Sequence, residues 1–217
     1  MRFLCVSDIH GNARALDAVL AEGDARGFDQ LVVCGDLCFP GPEPLAVWKT
    51  LVQRGALCVQ GLTDRAVARV DPQKLSATTE AERQRIARLR AVHTELGELI
   101  VARLGKLQTV ARLSLESGHA MVVVHGSPAD PTEPISFDLT DEEIGALLGD
   151  DPGELVVCGG SHVPFERQLD GVRVVNVGSV GEAPGGEYAH ATLVTSSPLG
   201  VLVEQFEVPL APPEPGS

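Results

Sequence analysis

Apolar runs of four or five residues recur along the chain, and most of them stop abruptly at a carboxylate, a histidine or a glycine. "RFLCVSD" opens the pattern. Behind it, Leu16, Val19 and Leu20 fall on one face of a helix predicted from about Ala13 to Ala21, with Asn12 as its cap. "QLVVCGDL" repeats the theme, and Pro44 opens a second helix that should turn Leu45, Trp48 and Val52 inward. "ALCVQGLTD" reads as a third strand. A long helical region follows, capped by Thr79 and Glu82, with its apolar stripe at Ile86, Leu89, Val92, Leu96 and Ile100 and a break at Gly97. "HAMVVVHGS" supplies a fourth strand, and Thr140 with Glu143 caps a short helix. "ELVVCGGSH", "VRVVNVGS", "ATLVTS" and "GVLVEQFEVPL" close the chain as strands. Alternation first and strands alone later predict an α/β fold with a mixed sheet or two packed sheets. One domain is expected over residues 1–208, followed by a disordered Pro-rich tail over 209–217.

Composition narrows the class. At 217 residues and 22.9 kDa, with 44% hydrophobic residues, the chain can bury a full core. A net charge of −13 and a pI near 4.8 argue against duplex nucleic acid and anionic membrane, since both reward Lys and Arg. A small phosphorylated ligand stays compatible where a metal inverts the local field. A strand entered at Arg2-Phe3 leaves no room for a signal peptide, and no apolar stretch reaches membrane-spanning length. None of the five cysteines forms CxxC, and Cys5, Cys34, Cys58 and Cys158 lie in or beside apolar strands. Buried thiols and a cytoplasmic location are therefore expected.

The chemistry gathers at the strand ends. Asp8 and His10 follow the first apolar run, Gly35-Asp36 the second, and Gly61-Leu62-Thr63-Asp64 the third. His125-Gly126 follows the fourth, Gly159-Gly160-Ser161-His162 the fifth, and Asn176 ends the sixth. In open α/β sheets the crevice beyond the carboxyl ends of the strands is where ligands bind. Histidines and carboxylates brought there suit Mn, Fe or Zn, and no cysteine stands at a ligand position.

Taken in order, "DIHGN", "GDL", "GLTD", "HGSP", "GGSH" and "NVGSVG" resemble the motifs of the calcineurin-like metallophosphoesterase superfamily, especially its small bacterial phosphodiesterases. The resemblance runs from Met1 to about Val208. It implies a two-sheet β-sandwich flanked by helices, an α/β/β/α fold with metals at the ends of the central strands. Asp8, His10 and His162 would hold a first metal, Asp36 would bridge to a second, and His125 would bind that second ion. Asp36 and His125 are accordingly the expected catalytic residues. The implied cofactor is a divalent transition metal, Mn ahead of Fe or Zn. The implied reaction is hydrolysis of a small organic phosphate or nucleotide, a phosphodiester above all, by attack of a metal-activated hydroxide on phosphorus.

The chain departs from the family pattern at two positions. Leu62 stands where relatives carry the asparagine of G-N, and Gly160 where they carry the first histidine of G-H-x-H. Both belong to the second site. Losing even an outer partner of a metal costs about 10–100-fold in affinity, so one tight ion and a second weak or absent one are expected. Asp64, on the same loop as Leu62, is the first candidate to compensate, with Cys158 and His93 behind it. Thr63 occupies a place where relatives often have a histidine or cysteine, and Glu182 one where many have a basic residue. The alternative to hydrolysis is an inactive scaffold with a protein partner, as in a retromer subunit of the superfamily, or a sensor of a metal and a phosphorylated ligand. Asn12 and Asn176 read as a cap and a brace.

Overall fold

In the computed structural model, which describes residues 1–210, two five-stranded sheets stack face to face. In the first, β1 (Arg2–Val6) is central. It is flanked by β2 (Gln30–Val33) and β3 (Leu57–Cys58) on one side, and by β9 (Tyr188–Ser197) and β10 (Gly200–Pro209) on the other. Cys5 lies opposite Val32 in the parallel β1–β2 pair and opposite Thr192 in the antiparallel β1–β9 pair. The second sheet runs β4 (Val110–Ser114), β5 (Ala120–Val124), β6 (Leu155–Cys158), β8 (Val172–Asn176), β7 (Phe165–Leu169). Its β5, β6 and β8 are parallel, with antiparallel β4 and β7 at the edges.

The central strands are buried on both faces, which is why they read as unbroken apolar runs. Side chains alternate along each strand. Phe3, Cys5, Val32 and Cys34 meet Met121, Val123, Val157 and Val175 between the sheets. Leu4, Val6, Leu31 and Val33 face outward to α1 (Ala13–Arg26), α2 (Pro44–Gln53) and α4 (Glu80–Leu104). On the far side, Val122, Val124, Val156 and Val174 pack under Ile144 and Leu148 of α5 (Asp141–Leu148). The result is the expected helix, sheet, sheet, helix layering.

Several local expectations need correction. The edge strands β4 and β7 escape the sequence pattern because "VARLS" and "FERQL" expose alternate residues and carry too few apolar ones. The expected loop around Leu62 and Asp64 is instead the start of α3 (Leu62–Arg69). Helix α1 continues past Ala21 to Arg26, and β3 is only two residues long. The inward face of α2 is one position out of phase. Val47 and Leu51 are buried, whereas Val52 is 56% exposed. Gly97 does interrupt α4, with φ of 70°. Of the tail expected over 209–217, Pro209 closes β10, and residues 211–217 lie outside the described residues. No helix among the described residues is long and apolar enough to cross a membrane.

Candidate metal centre

Strands β1, β2, β5 and β6 release their chains at one end of the stacked sheets, and each exit delivers a ligand-type side chain. The first two exits run side by side. The Asp8 N–H donates to the Gly35 carbonyl at 3.0 Å, and the His10 N–H to the Asp36 carbonyl at 2.9 Å. The second sheet is tied in by the Gly160 N–H, which donates to Asp8 Oδ2 at 2.9 Å, and by Ser179 Oγ, which donates to the Asp8 carbonyl at 3.0 Å. Asp8, His10, Asp36 and His162 have φ of 53°, 50°, 55° and 61°, and among the described residues no other non-glycine residue has a positive φ. Such backbone costs about 1–3 kcal/mol per residue and clusters at functional sites. Here it aims four side chains at one place.

Asp8, His10 and His162 offer ligand atoms that all lie within 4.8 Å of one another, and so do Asp8, Asp36 and His125. Asp8 thus belongs to both groups. Asp36 still stands between the histidines expected on either side, its Oδ2 3.9 Å from His10 Nε2 and 3.5 Å from His125 Nε2. The second nitrogen of two rings fixes which nitrogen faces the cluster. His10 Nδ1 donates to the Phe39 carbonyl at 2.6 Å, and His125 Nδ1 to the Cys34 carbonyl at 2.8 Å. Each ring therefore presents the Nε2 lone pair to the centre, the tautomer a metal requires. His10 Nε2 faces His162 Nε2 at 3.4 Å, and Asp8 Oδ1 lies 3.1 Å from His162 Nε2 yet is in hydrogen-bond geometry with nothing. Lone pairs converging on a common point rather than on each other are what a cation would satisfy.

Asp36 is held by the residue expected to replace a lost ligand. Asp64, 1% exposed at the start of α3, accepts the N–H groups of Asp36 at 2.9 Å, Leu37 at 3.0 Å and Gly61 at 3.0 Å. In return Asp36 Oδ1 accepts the Thr63 N–H at 2.8 Å. A side chain at Gly61 would run into the Asp36 carboxylate, so only glycine lets the two loops approach this closely. Asn176 behaves as the expected brace, donating to the carbonyls of Ile135 and Gly159. Asn12 caps α1 through the Ala15 N–H.

The electrostatics point the same way. Burial opposes the charge on Asp8, but His10, His162 and His125 together hold its carboxyl below the usual carboxylate range. Burial also opposes the His10 cation, yet Asp8, the Phe39 carbonyl, Asp36 and Glu182 raise its pKa to about 9. His162 is raised chiefly by Asp8. The carboxylates demand positive charge from whatever sits among them, and a divalent ion supplies it without a proton.

None of the three compensating residues reaches the gap. Both oxygens of Asp64 are taken by backbone, and burial beside Asp36 pushes its pKa up against the pull of those amides. Cys158 is fully buried and its thiol is pushed up to about 12, which withholds the thiolate a metal needs. His93 sits on α4 and belongs to neither group of ligand atoms. A Cβ at Gly160 would stand 3.5 Å from His125 Nε2, so this position does face the second group. Leu62 is 43% exposed and lines a cavity with Phe39 and Leu75. Sequence reasoning missed Glu182, whose Oε2 is 3.6 Å from His10 Nε2 and 4.0 Å from His162 Nδ1. Its place after "GSVG" was the available signal, read there only as the lack of a basic residue.

Fold and site together define a protein of the metallophosphoesterase type. The chain belongs to the calcineurin-like phosphoesterase superfamily, whose domain it matches over residues 1–197. Among solved structures it is similar to the hypothetical protein PH1004 from Pyrococcus horikoshii OT3, with a TM-score of 0.80 and 22% identity over 97% of this chain and 88% of that one. It is also similar to a metallophosphoesterase from Sphaerobacter thermophilus, with a TM-score of 0.73 and 22% identity over 96% and 89%. Yfce, a phosphoesterase from E. coli, gives 0.52 and 19% over 96% and 100%. No curated protein matches the chain in sequence.

Proposed function

We propose that the protein is a metal-dependent phosphoesterase, a phosphodiesterase in the first place, acting on a small organic phosphate or nucleotide. The carrying observation is the pair of overlapping donor groups that meet at Asp8, built on four strained backbone positions. Asp8, His10 and His162 hold one divalent transition ion, with Mn preferred over Fe and Zn on the mixed carboxylate and imidazole set. Asp36 and His125, with Asp8, hold a weaker second ion and act as the catalytic pair, since Leu62 and Gly160 contribute no ligand. A bound divalent ion supplies a Lewis acid for a phosphoryl oxygen and a nucleophile at neutral pH. Asp64 positions Asp36, and the carbonyls of Phe39 and Cys34 hold His10 and His125 in the ligand tautomer. Five free thiols, four of them buried, support a reducing compartment, the cytoplasm.

The test is metal analysis of the purified protein together with hydrolysis of bis(p-nitrophenyl) phosphate, with and without added Mn. Metal-dependent turnover that Asp36→Asn abolishes is expected. A protein that binds no transition metal, or that stays inert when loaded, overturns the enzyme reading. It would then favour a scaffold with a protein partner, the reading that Leu62 and Gly160 support.

A further inference from the structure

The first half of α4 lies against α3, and the space beside them is hollow. One cavity of about 360 Å³ is lined by His10 and Glu182 of the metal centre and by Arg85 and Arg88 of α4. A second cavity, of about 450 Å³, shares Phe39, Thr63 and Arg85 with the first and is walled by Leu62, Leu75 and Leu89. Both are of a size that takes small ligands. They form one path from the metal centre into an apolar cleft.

Three observations say what fits there. Arg85 has no ion-pair or hydrogen-bond partner among the described residues, and Arg88 reaches only the Pro40 carbonyl, at 3.5 Å. In a chain of net charge −13, two uncommitted guanidinium groups beside a metal centre mark a place for an anion. Thr63 Oγ1, buried and without a hydrogen-bond partner, stands where the two cavities meet. Leu62 and Leu75 are 43% and 38% exposed although they wall the cleft. The cleft has little to offer a nucleoside. Of its polar side chains, Glu82 is already engaged by Thr78 and Thr79, which leaves Thr63, Ser76 and Arg85 for sugar hydroxyls and base edges. A polar group left unpaired there would be penalised.

We infer that, granting the phosphoesterase reading above, the substrate is a phosphate ester of an apolar organic group rather than a nucleotide. Arg85 and Arg88 draw its phosphoryl group to the metal centre through the first cavity, and the apolar group lies against Leu62, Leu75 and Leu89. Leu62 then has a use: the position that lacks a metal-ligating side chain serves as a wall of the substrate cleft.

The test is calorimetric titration of the Mn-supplemented protein with methylphosphonate and with 1-naphthylmethylphosphonate, neither of which can be hydrolysed at an ester. The naphthyl compound should bind about tenfold tighter or more. Leu75→Asn should bring the ratio of the two affinities towards one, while Arg85→Gln with Arg88→Gln should weaken both compounds alike. Equal affinities in the wild type, or a ratio that Leu75→Asn leaves unmoved, would overturn the inference. Hydrolysis of an aryl phosphate, measured on the same samples, separates the two readings. Turnover without a naphthyl preference removes the cleft and leaves the phosphoesterase. A preference that depends on Leu75 without any turnover keeps the apolar phosphate as ligand and removes the hydrolysis.

Discussion

Asp64 holds Asp36 by its backbone, accepting the Asp36 N–H at 2.9 Å while also accepting those of Leu37 and Gly61. An acid three residues into a helix thus fixes the exit of another strand. Asp64→Ala strands three buried N–H groups, each of which costs about 1–3 kcal/mol when left without an acceptor. Release of a buried carboxylate offsets part of that. The expected outcome is a loss of at least about 3 kcal/mol in the metal-free protein, seen as a lower urea midpoint. Metal affinity should fall too, although Asp64 ligates nothing. An unchanged midpoint would mean that Asp64 does not organise this exit.

The positive φ of His162 is a stability cost accepted for the site. With φ of 61° and 28% side-chain exposure, its backbone gains little from packing. His162→Gly relieves about 1 kcal/mol or more of left-handed strain, partly cancelled by the backbone entropy of glycine. The metal-free variant should therefore melt no lower than the wild type. The rise in Tm on adding Mn should shrink sharply, since the first group of donors loses one of its three side chains. A variant whose melting temperature still responds fully to Mn would show that His162 is not a ligand.

Much of this arrangement was legible in the sequence, and the exceptions have physical causes. Double burial made β1, β2, β5, β6 and β8 into apolar runs, and the polar residues that end them are the candidate site. Edge strands β4 and β7 carry too few apolar residues to stand out from loops. The role of Asp64 was hidden because three donors converge on it from two segments of chain, which no local motif encodes. Arg85 and Arg88 lie on the polar side of an amphipathic helix, so periodicity marks them as solvated surface. Only the packing of α4 against α3 places them beside His10.

Ion stoichiometry follows from the two donor groups. The first has two histidines and one carboxylate, and Glu182 lies within 4.0 Å of both rings. The second has two carboxylates, one of them shared, and one histidine. Titration with Mn should show one tight ion per chain and a second that binds at least about tenfold more weakly. At a free Mn concentration a hundred times the tight dissociation constant, the folded state should gain about 2.7 kcal/mol. Two equally tight ions would point to a ligand that the donor groups do not include.

Restoring the lost ligands tests whether the second site limits turnover. A Cβ at Gly160 would lie 3.3 Å from the His125 carbonyl oxygen and 3.5 Å from His125 Nε2, so Gly160→His can direct an imidazole at the second group. The φ of 74° at this position makes the change cost about 1–2 kcal/mol of stability, as it does at the ligands that already tolerate such backbone. Leu62→Asn brings an amide to the start of α3, one residue from Gly61, which packs against the Asp36 carboxylate. Either change alone should tighten the second ion modestly, and the pair by more than the sum, because ligands of one ion couple. Hydrolysis of bis(p-nitrophenyl) phosphate at limiting Mn should rise in the same order. Leu62→Asn also removes a wall of the apolar cleft, so the double variant should show a higher kcat together with a higher KM for aryl esters. A double variant that binds two ions tightly without any gain in kcat would show that the second ion does not limit the reaction, and that Leu62 and Gly160 are compatible with full activity.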